Sequence, residues 1–207
     1  MYFRVPDIFH FMQLVFATNN SYKLNEIRNI LNDSFALLSL NDINMTEDIP
    51  EDEPTLEGNA LSKARYIYNA TNLTVFADDT GLETEALYGL PGVHSARFAG
   101  ESKDFDANVD KLLDLLSREK NRKARFRTVI ALIHKGDEFL FEGIVRGKIT
   151  REKRGREGFG YDPVFLPEGS DRTFAEMELS EKNTISHRAI AFEKLRLFLS
   201  ELPAHEK

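Results

Sequence analysis

Two adjacent acids, Asp78 and Asp79, close a short apolar run in the segment VFADDTGL, Val75 to Leu82, and are followed at once by Thr80 and Gly81. Carboxylates in such a setting can take a proton from an attacking water or hold a divalent cation. Beta-branched and aromatic residues running into charge and glycine describe a buried strand ending at a polar loop, where α/β proteins place catalytic groups. Successive strand residues point to opposite faces, so one acid can face a site while the other caps a helix or holds the loop. The competing interpretation makes both of them loop and cap residues. A second polar set, TNNSYK from Thr18 to Lys23, lies between a strand candidate and a helix candidate. A helix N-terminus offers unpaired N–H groups and partial positive charge, and with Lys23 beside it the loop could hold a phosphate chain. It lacks the glycine spacing of a P-loop, and Ser21 or Asn20 as a plain helix cap explains the same residues.

Three further stretches carry chemistry. Glu47, Asp48, Glu51, Asp52, Glu53 and Glu57 alternate with Pro50 and Pro54, an extended acidic run that could help hold a divalent cation or form a solvated face. Arg146, Lys148, Arg151, Lys153, Arg154 and Arg156 form the most basic segment, and Phe159-Gly160-Tyr161-Asp162-Pro163 follows it. An aromatic and a glycine let a base stack with the backbone close by, and Asp162 can read donors on its edge; the basic residues would suit its phosphates. A structural turn uses the same residues. Lys182, Ser186, His187 and Arg188 sit near the start of the last helix, an anion site or base reader in which His187 could equally be structural.

The elements that must position these residues are legible from periodicity. A strand is expected over Gln13–Ala17, and a helix from Ser21 with Leu24, Ile27, Ile30 and Leu31 at helical spacing. A helix from Thr55 or Leu56 to about Asn69 buries Leu56, Ala60, Ala64 and Ile67 and turns Asn59 toward the site. Gly89 to Gly100 is too irregular for an element and makes a loop able to cover the site, with Arg97 as its anion-binding residue. An amphipathic helix over Asp106–Arg118 presents Val109, Leu112, Leu113 and Leu116 to the core. Ala124–His134 and Phe139–Ile149 form a hairpin with Gly136 in the turn. A last helix runs from Asn183 or Ser186 to Leu202.

With 207 residues, 42% of them apolar, the chain can bury a substantial core. Its formal charge of −7 argues against a protein whose main task is coating nucleic acid. No cysteine is present, which excludes thiolate chemistry, leaves any metal to oxygen or imidazole, and is compatible with a cytosolic enzyme. Residues 1–11 form neither a signal-peptide core nor a membrane span. They are expected as an extension ahead of one working domain over residues 12–207.

Taken together, TNNSYK, LEGNALSKAR, ADDTGL, PGVHSAR, GFGYDPVF and EKNTISHR stand in the order and approximate spacing of the inosine triphosphate pyrophosphatase family, the Ham1-like enzymes for non-canonical purine nucleotides, which the chain resembles from Met12 to Leu202. The resemblance implies Mg²⁺-dependent hydrolysis of ITP, dITP and XTP to the monophosphate and pyrophosphate by a cytoplasmic homodimer with a nucleotide-pool cleaning role. It implies a mixed α/β fold, a long twisted central sheet flanked by helices, with the cleft between two lobes. It places the triphosphate on Thr18, Asn19, Asn20, Ser21, Tyr22 and Lys23, with Asn19 and Lys23 foremost. Asp79 becomes general base and metal ligand, Thr80 a substrate contact, and Glu51 the best match for the second metal ligand. The purine pocket falls on Phe159, Gly160, Tyr161, Asp162, Lys182, His187 and Arg188. Maf-like pyrophosphatases acting on pyrimidine or modified nucleotides, and a nucleotide-binding regulator without turnover, are the alternatives. No nucleic-acid or membrane partner is expected.

Overall fold

The protein is described by a computed structural model over residues 12–30, 35–45, 47 and 49–202; the expected extension, Leu31 and Asp48 lie outside the described residues. In chain order these fold as β1 (Gln13–Phe16), α1 (Ser21–Ile30), β2 (Ala36–Ser39), α2 (Leu56–Thr71), β3 (Val75–Thr84), β4 (Pro91–Gly92), α3 (Phe105–Leu115), β5 (Lys123–His134), β6 (Asp137–Ile149), β7 (Phe165–Pro167), α4 (Leu179–Ile185) and α5 (His187–Glu201). The sheet runs β2-β1-β3-β5-β6-β7, with β4 added to β3. β1 pairs in parallel with β2 and β3, and the other pairings are antiparallel. This is the expected mixed α/β sheet.

Strand alternation sorts the core. Val75, Ala77, Val129, Ala131 and Ile133 face α2, where Leu56, Ala60, Ala64 and Ile67 meet them as the helical spacing predicts. Phe76, Ile130 and Leu132 face the other way, against Ile27 of α1 and Phe192 and Leu195 of α5. Both faces of this half of the sheet are therefore covered, which is why β5 reads as the nearly continuous apolar run VIALI. At the far end Leu82 and its register partner Phe126 join Leu112 of α3, Phe165 of β7 and Phe174 in a separate cluster. β3 and β5 thus run through both lobes. The pairs Asp78–Ile130, Asp79–Val129 and Thr80–Thr128 fall at the junction.

Local signals explain the ends. Thr55 caps α2 by accepting the Gly58 N–H at 3.0 Å, and Asn72 closes it in the left-handed region at φ 54°. The β5–β6 turn holds Lys135 and Gly136 at positive φ, 52° and 91°, as a two-residue hairpin demands.

Two expectations are corrected. β3 does not end at the acids but continues to Thr84, because β5 matches it residue for residue from Val75 to Thr84. Gly81 is no turn glycine either: a Cβ there would stand 2.6 Å from the Gly92 carbonyl oxygen, so glycine admits β4 to the sheet. The last helix starts at Ser186, one of its two expected starts, and a separate short helix, α4, precedes it. Ser186 is extended, at φ −72° and ψ 152°, and its hydroxyl accepts the Ala189 N–H at 3.1 Å to start α5. The loop after β3 is mostly irregular as expected, save for β4 and short 3-10 turns at residues 85–87 and 95–97.

Candidate active site

A cavity of about 820 Å³ opens at the junction of the lobes. Thr18 to Lys23 form one wall and Glu51 to Pro54 another, with Asn59 and Lys63 of α2 behind them; Val93 to Arg97 cover a third side. Phe159 to Asp162, Lys182, His187 and Arg188 close the fourth, and Asp79 and Thr80 reach in from β3. Every residue that the family resemblance assigns to the site lines this one cavity. In the Thr18–Lys23 loop, the Asn20 carboxamide oxygen accepts the N–H groups of Tyr22 and Lys23 at 3.0 and 3.2 Å, so Asn20 is the helix cap.

The side of β3 facing α2 holds Asp79. Its Oδ2 accepts from the Asn59 carboxamide at 3.0 Å and its Oδ1 from the Thr80 N–H at 3.0 Å. Lys63 is the cation here, 3.8 Å from Asp79 and donating to Glu51 at 2.6 Å, while Arg97 stands 3.6 Å from the other Glu51 oxygen. Burial raises the Asp79 carboxyl above the ordinary value, and Lys63 and Lys23 do not fully offset it. Burial acts the same way on Glu51, but Lys63 outweighs it and holds that group low.

The opposite side holds Asp78, which is 1% exposed. Lys23 Nζ donates to its Oδ1 at 2.9 Å and Arg188 Nε to its Oδ2 at 3.2 Å. Arg188 also pairs with Glu26, and Lys182 joins Glu26 at 2.7 Å to Asp162 at 2.6 Å. Asp162 in turn accepts the Phe159 N–H at 2.9 Å, fixing the aromatic loop. Burial would raise the Asp78 carboxyl, yet Lys23, Arg188 and Lys63 together hold it far below the carboxylate range. His187 is pushed well below its ordinary value by burial and by the neighbouring cations Arg188 and Lys182, so it is neutral. Its Nδ1 lies 2.6 Å from the Thr128 hydroxyl, itself 2.7 Å from that of Thr80. The Tyr161 hydroxyl donates to the Ser95 carbonyl at 2.9 Å, tying the aromatic loop to the covering loop.

This is a cleft with a buried, uphill carboxylate on one side, a string of neutralised charges on the other and an aromatic loop at one end. A family model described as the Ham1 family matches residues 14–198. The chain belongs to the Ham1 family. A dITP/XTP pyrophosphatase of Porphyromonas gingivalis is 56% identical over 188 residues, covering 90% of this chain and 97% of its own length. One of Christiangramia forsetii is 53% identical over 190 residues, covering 92% and 100%. The structure of a HAM1 protein from Coxiella burnetii superposes with a TM-score of 0.85 at 38% identity, over 92% of this chain and 100% of that one.

Within this Ham1-family fold the basic segment does not do what its composition suggests. None of Arg146 to Arg156 lines the cleft. Lys153 pairs with Asp106 and Asp110, Arg154 pairs with Glu176, and Arg146 and Lys148 line a separate cavity at the far end of β5 and β6. The cations of the cleft are instead Lys23, Lys63, Arg97, Lys103, Lys182 and Arg188. Sequence reasoning passed over Lys63, Glu26 and Thr128. Lys63 was within reach: it stands four residues after Asn59 on the α2 face that Leu56, Ala60 and Ala64 turn inward.

Proposed function

We propose that this chain hydrolyses dITP, XTP and ITP to the nucleoside monophosphate and pyrophosphate. One observation carries the reading: a single cavity joins a polar helix-start loop, a carboxylate raised by burial and an aromatic loop with polar neighbours. Its volume of about 820 Å³ lies in the range of small-molecule sites. The names of the two bacterial relatives point the same way.

In this mechanism the triphosphate lies along Thr18 to Lys23, with Asn19, Lys23 and Lys63 at its oxygens. Asp79 accepts a proton from the attacking water, the new P–O bond forms, the α–β bridge breaks, and pyrophosphate leaves. The protein's contribution is mainly positioning and charge neutralisation, and a general base of this kind contributes about 10²–10⁴-fold. Asp79, protonated more readily than an ordinary carboxyl, is the better base for it once ionised. The purine lies against Phe159 to Asp162 within reach of Lys182, His187 and Arg188. A 6-keto group finds donors there, whereas a 6-amino or 2-amino group brings donors to a site already rich in them, and an unpaired buried polar group costs about 1–3 kcal/mol.

The oxygen donors of the cleft fit magnesium. Asp79 and Glu51 supply two carboxylates to the cleft on either side of the Lys63 ammonium, while no group of three acids or histidines converges among the described residues. Such a pair suits an ion that takes its other ligands from water and substrate phosphates. When bound, Mg²⁺ would neutralise developing charge on the phosphates. A homodimer, a cytoplasmic location and a cleaning role for the nucleotide pool belong to this proposal through the family resemblance. No described helix is long and apolar enough to cross a membrane.

The test is pyrophosphate release by the purified protein from dITP, XTP, ITP, ATP, GTP, dTTP and UTP with Mg²⁺. Turnover of the first three above the rest is expected. Preference for a pyrimidine nucleotide, or binding without turnover, would overturn the proposal.

A further inference from the structure

Tyr22 stands in the Thr18–Lys23 loop, with its ring packed among other aromatic rings. Its ring stacks on Phe159 at a centroid separation of 5.2 Å and an interplanar angle of 22°. Phe105, the first residue of α3, meets Tyr22 edge-on at 6.1 Å and is tilted against Phe159 at 5.9 Å. The trio links α1 in one lobe to α3 and the aromatic loop in the other, across the cavity mouth. Lys182 Nζ and Arg188 Cζ lie over the Phe159 ring, 5.2 and 5.6 Å from its centroid, and among the described residues Tyr22 is the ring stacked on it. Two rings at this separation are already a stacked pair, with no room for a base between them. Tyr22 is 52% exposed, while Phe105 and Phe159 are half-buried, so Tyr22 is the member that can leave with least loss of burial.

We propose that Tyr22 is an aromatic latch that occupies the stacking position on Phe159 in the nucleotide-free protein and is displaced by the purine base. The proposal rests on the reading of Phe159 to Asp162 as the base pocket. Tyr22 is then a positioning residue that sets nucleotide affinity: only the unlatched fraction binds, and apparent affinity is lowered by that fraction.

Calorimetric titration of the full chain with deoxyinosine monophosphate, and separately with inorganic tripolyphosphate, tests this. Aromatic pairing of ordinary strength predicts that Tyr22→Ala binds the nucleotide about two- to tenfold more tightly. Tyr22→Phe, which keeps the ring, should match the parent, and tripolyphosphate, which has no base, should bind both alike. Weaker or unchanged nucleotide binding by Tyr22→Ala overturns the latch, as does an equal gain for tripolyphosphate, which would mean a change in the loop alone. Parent turnover of dITP is measured alongside. A parent that releases no pyrophosphate defeats the functional reading and the latch with it, whereas an active parent with an indifferent Tyr22→Ala defeats the latch only.

Discussion

Asp78 and Asp79 are buried neighbours on β3, and the protein treats them in opposite ways. Asp78 meets Lys23 and Arg188 directly, and Arg188 passes on through Glu26 to Lys182 and Asp162. Asp79 meets a neutral carboxamide, a backbone N–H and one lysine at 3.8 Å that is closer to Glu51. One carboxyl is pinned in its charged form and the other is lifted toward its neutral form. Because a strand alternates its faces, a single step along the chain moves a carboxylate from a fully compensated setting to an incompletely compensated one. The lesson is that burial alone does not set the state of an acid; the cations placed against it do.

Substitutions can break that contrast. The largest effect is expected from Asp79→Asn, which should lower the rate of pyrophosphate release from dITP by about 10²–10⁴-fold while the melting temperature holds or rises. Loss of fold in this variant would erase the distinction. Asp78→Asn should do the reverse in kind, reducing unfolding free energy by about 3–5 kcal/mol in urea, since it leaves Lys23 without its buried carboxylate and Arg188 with Glu26 alone. A stable but inactive Asp78→Asn would reassign Asp78 to the chemistry.

pH sharpens the same contrast, in metal-free buffer. The stabilisation from Asp78, whose folded pKa is depressed, is present above the ordinary value of 3.8 and is lost as pH falls below it. Asp79 has the opposite sign: its contribution is full below 3.8 and is lost as pH rises through its raised folded value. Thermal unfolding from pH 3 to pH 7 should therefore show Asp79→Asn gaining on the parent as pH rises, and Asp78→Asn losing to it. The smallest effect is expected from Thr128→Val, which removes the hydroxyl between Thr80 and His187 at a cost of about 1–2 kcal/mol in urea unfolding.

Periodicity in the sequence carries the layers of the fold well. The α2 stripe, the α3 stripe and the β5–β6 hairpin all stand where spacing puts them, because each buries one continuous face. Short-range polarity misleads at β3, where charge and glycine signal a turn but buried cations and the approach of β4 keep the strand going. The residues that line the cleft are legible as a set through their motifs, and Asn59 through helical spacing. The pairing of each cation is not legible, since Lys23 reaches Asp78 across 55 positions and Arg188 reaches Glu26 across 162. For that reason the Arg146–Arg156 segment looks like the phosphate site in one dimension, whereas in three Lys153 and Arg154 pair with other acids and Arg146 and Lys148 line another cavity.

The unbroken run of β3 beside β5 has a mechanical consequence. Ten consecutive cross-strand pairs carry one ladder of backbone hydrogen bonds beneath both lobes, so the floor of the cleft belongs to the slowest-exchanging part of such a molecule rather than to a hinge. The lobes cannot swing apart about a flexible joint there without fraying that ladder. Traffic into and out of the cleft is left to what sits above it: side-chain rotations and loop displacements at the rim, on timescales far shorter than any opening of the sheet.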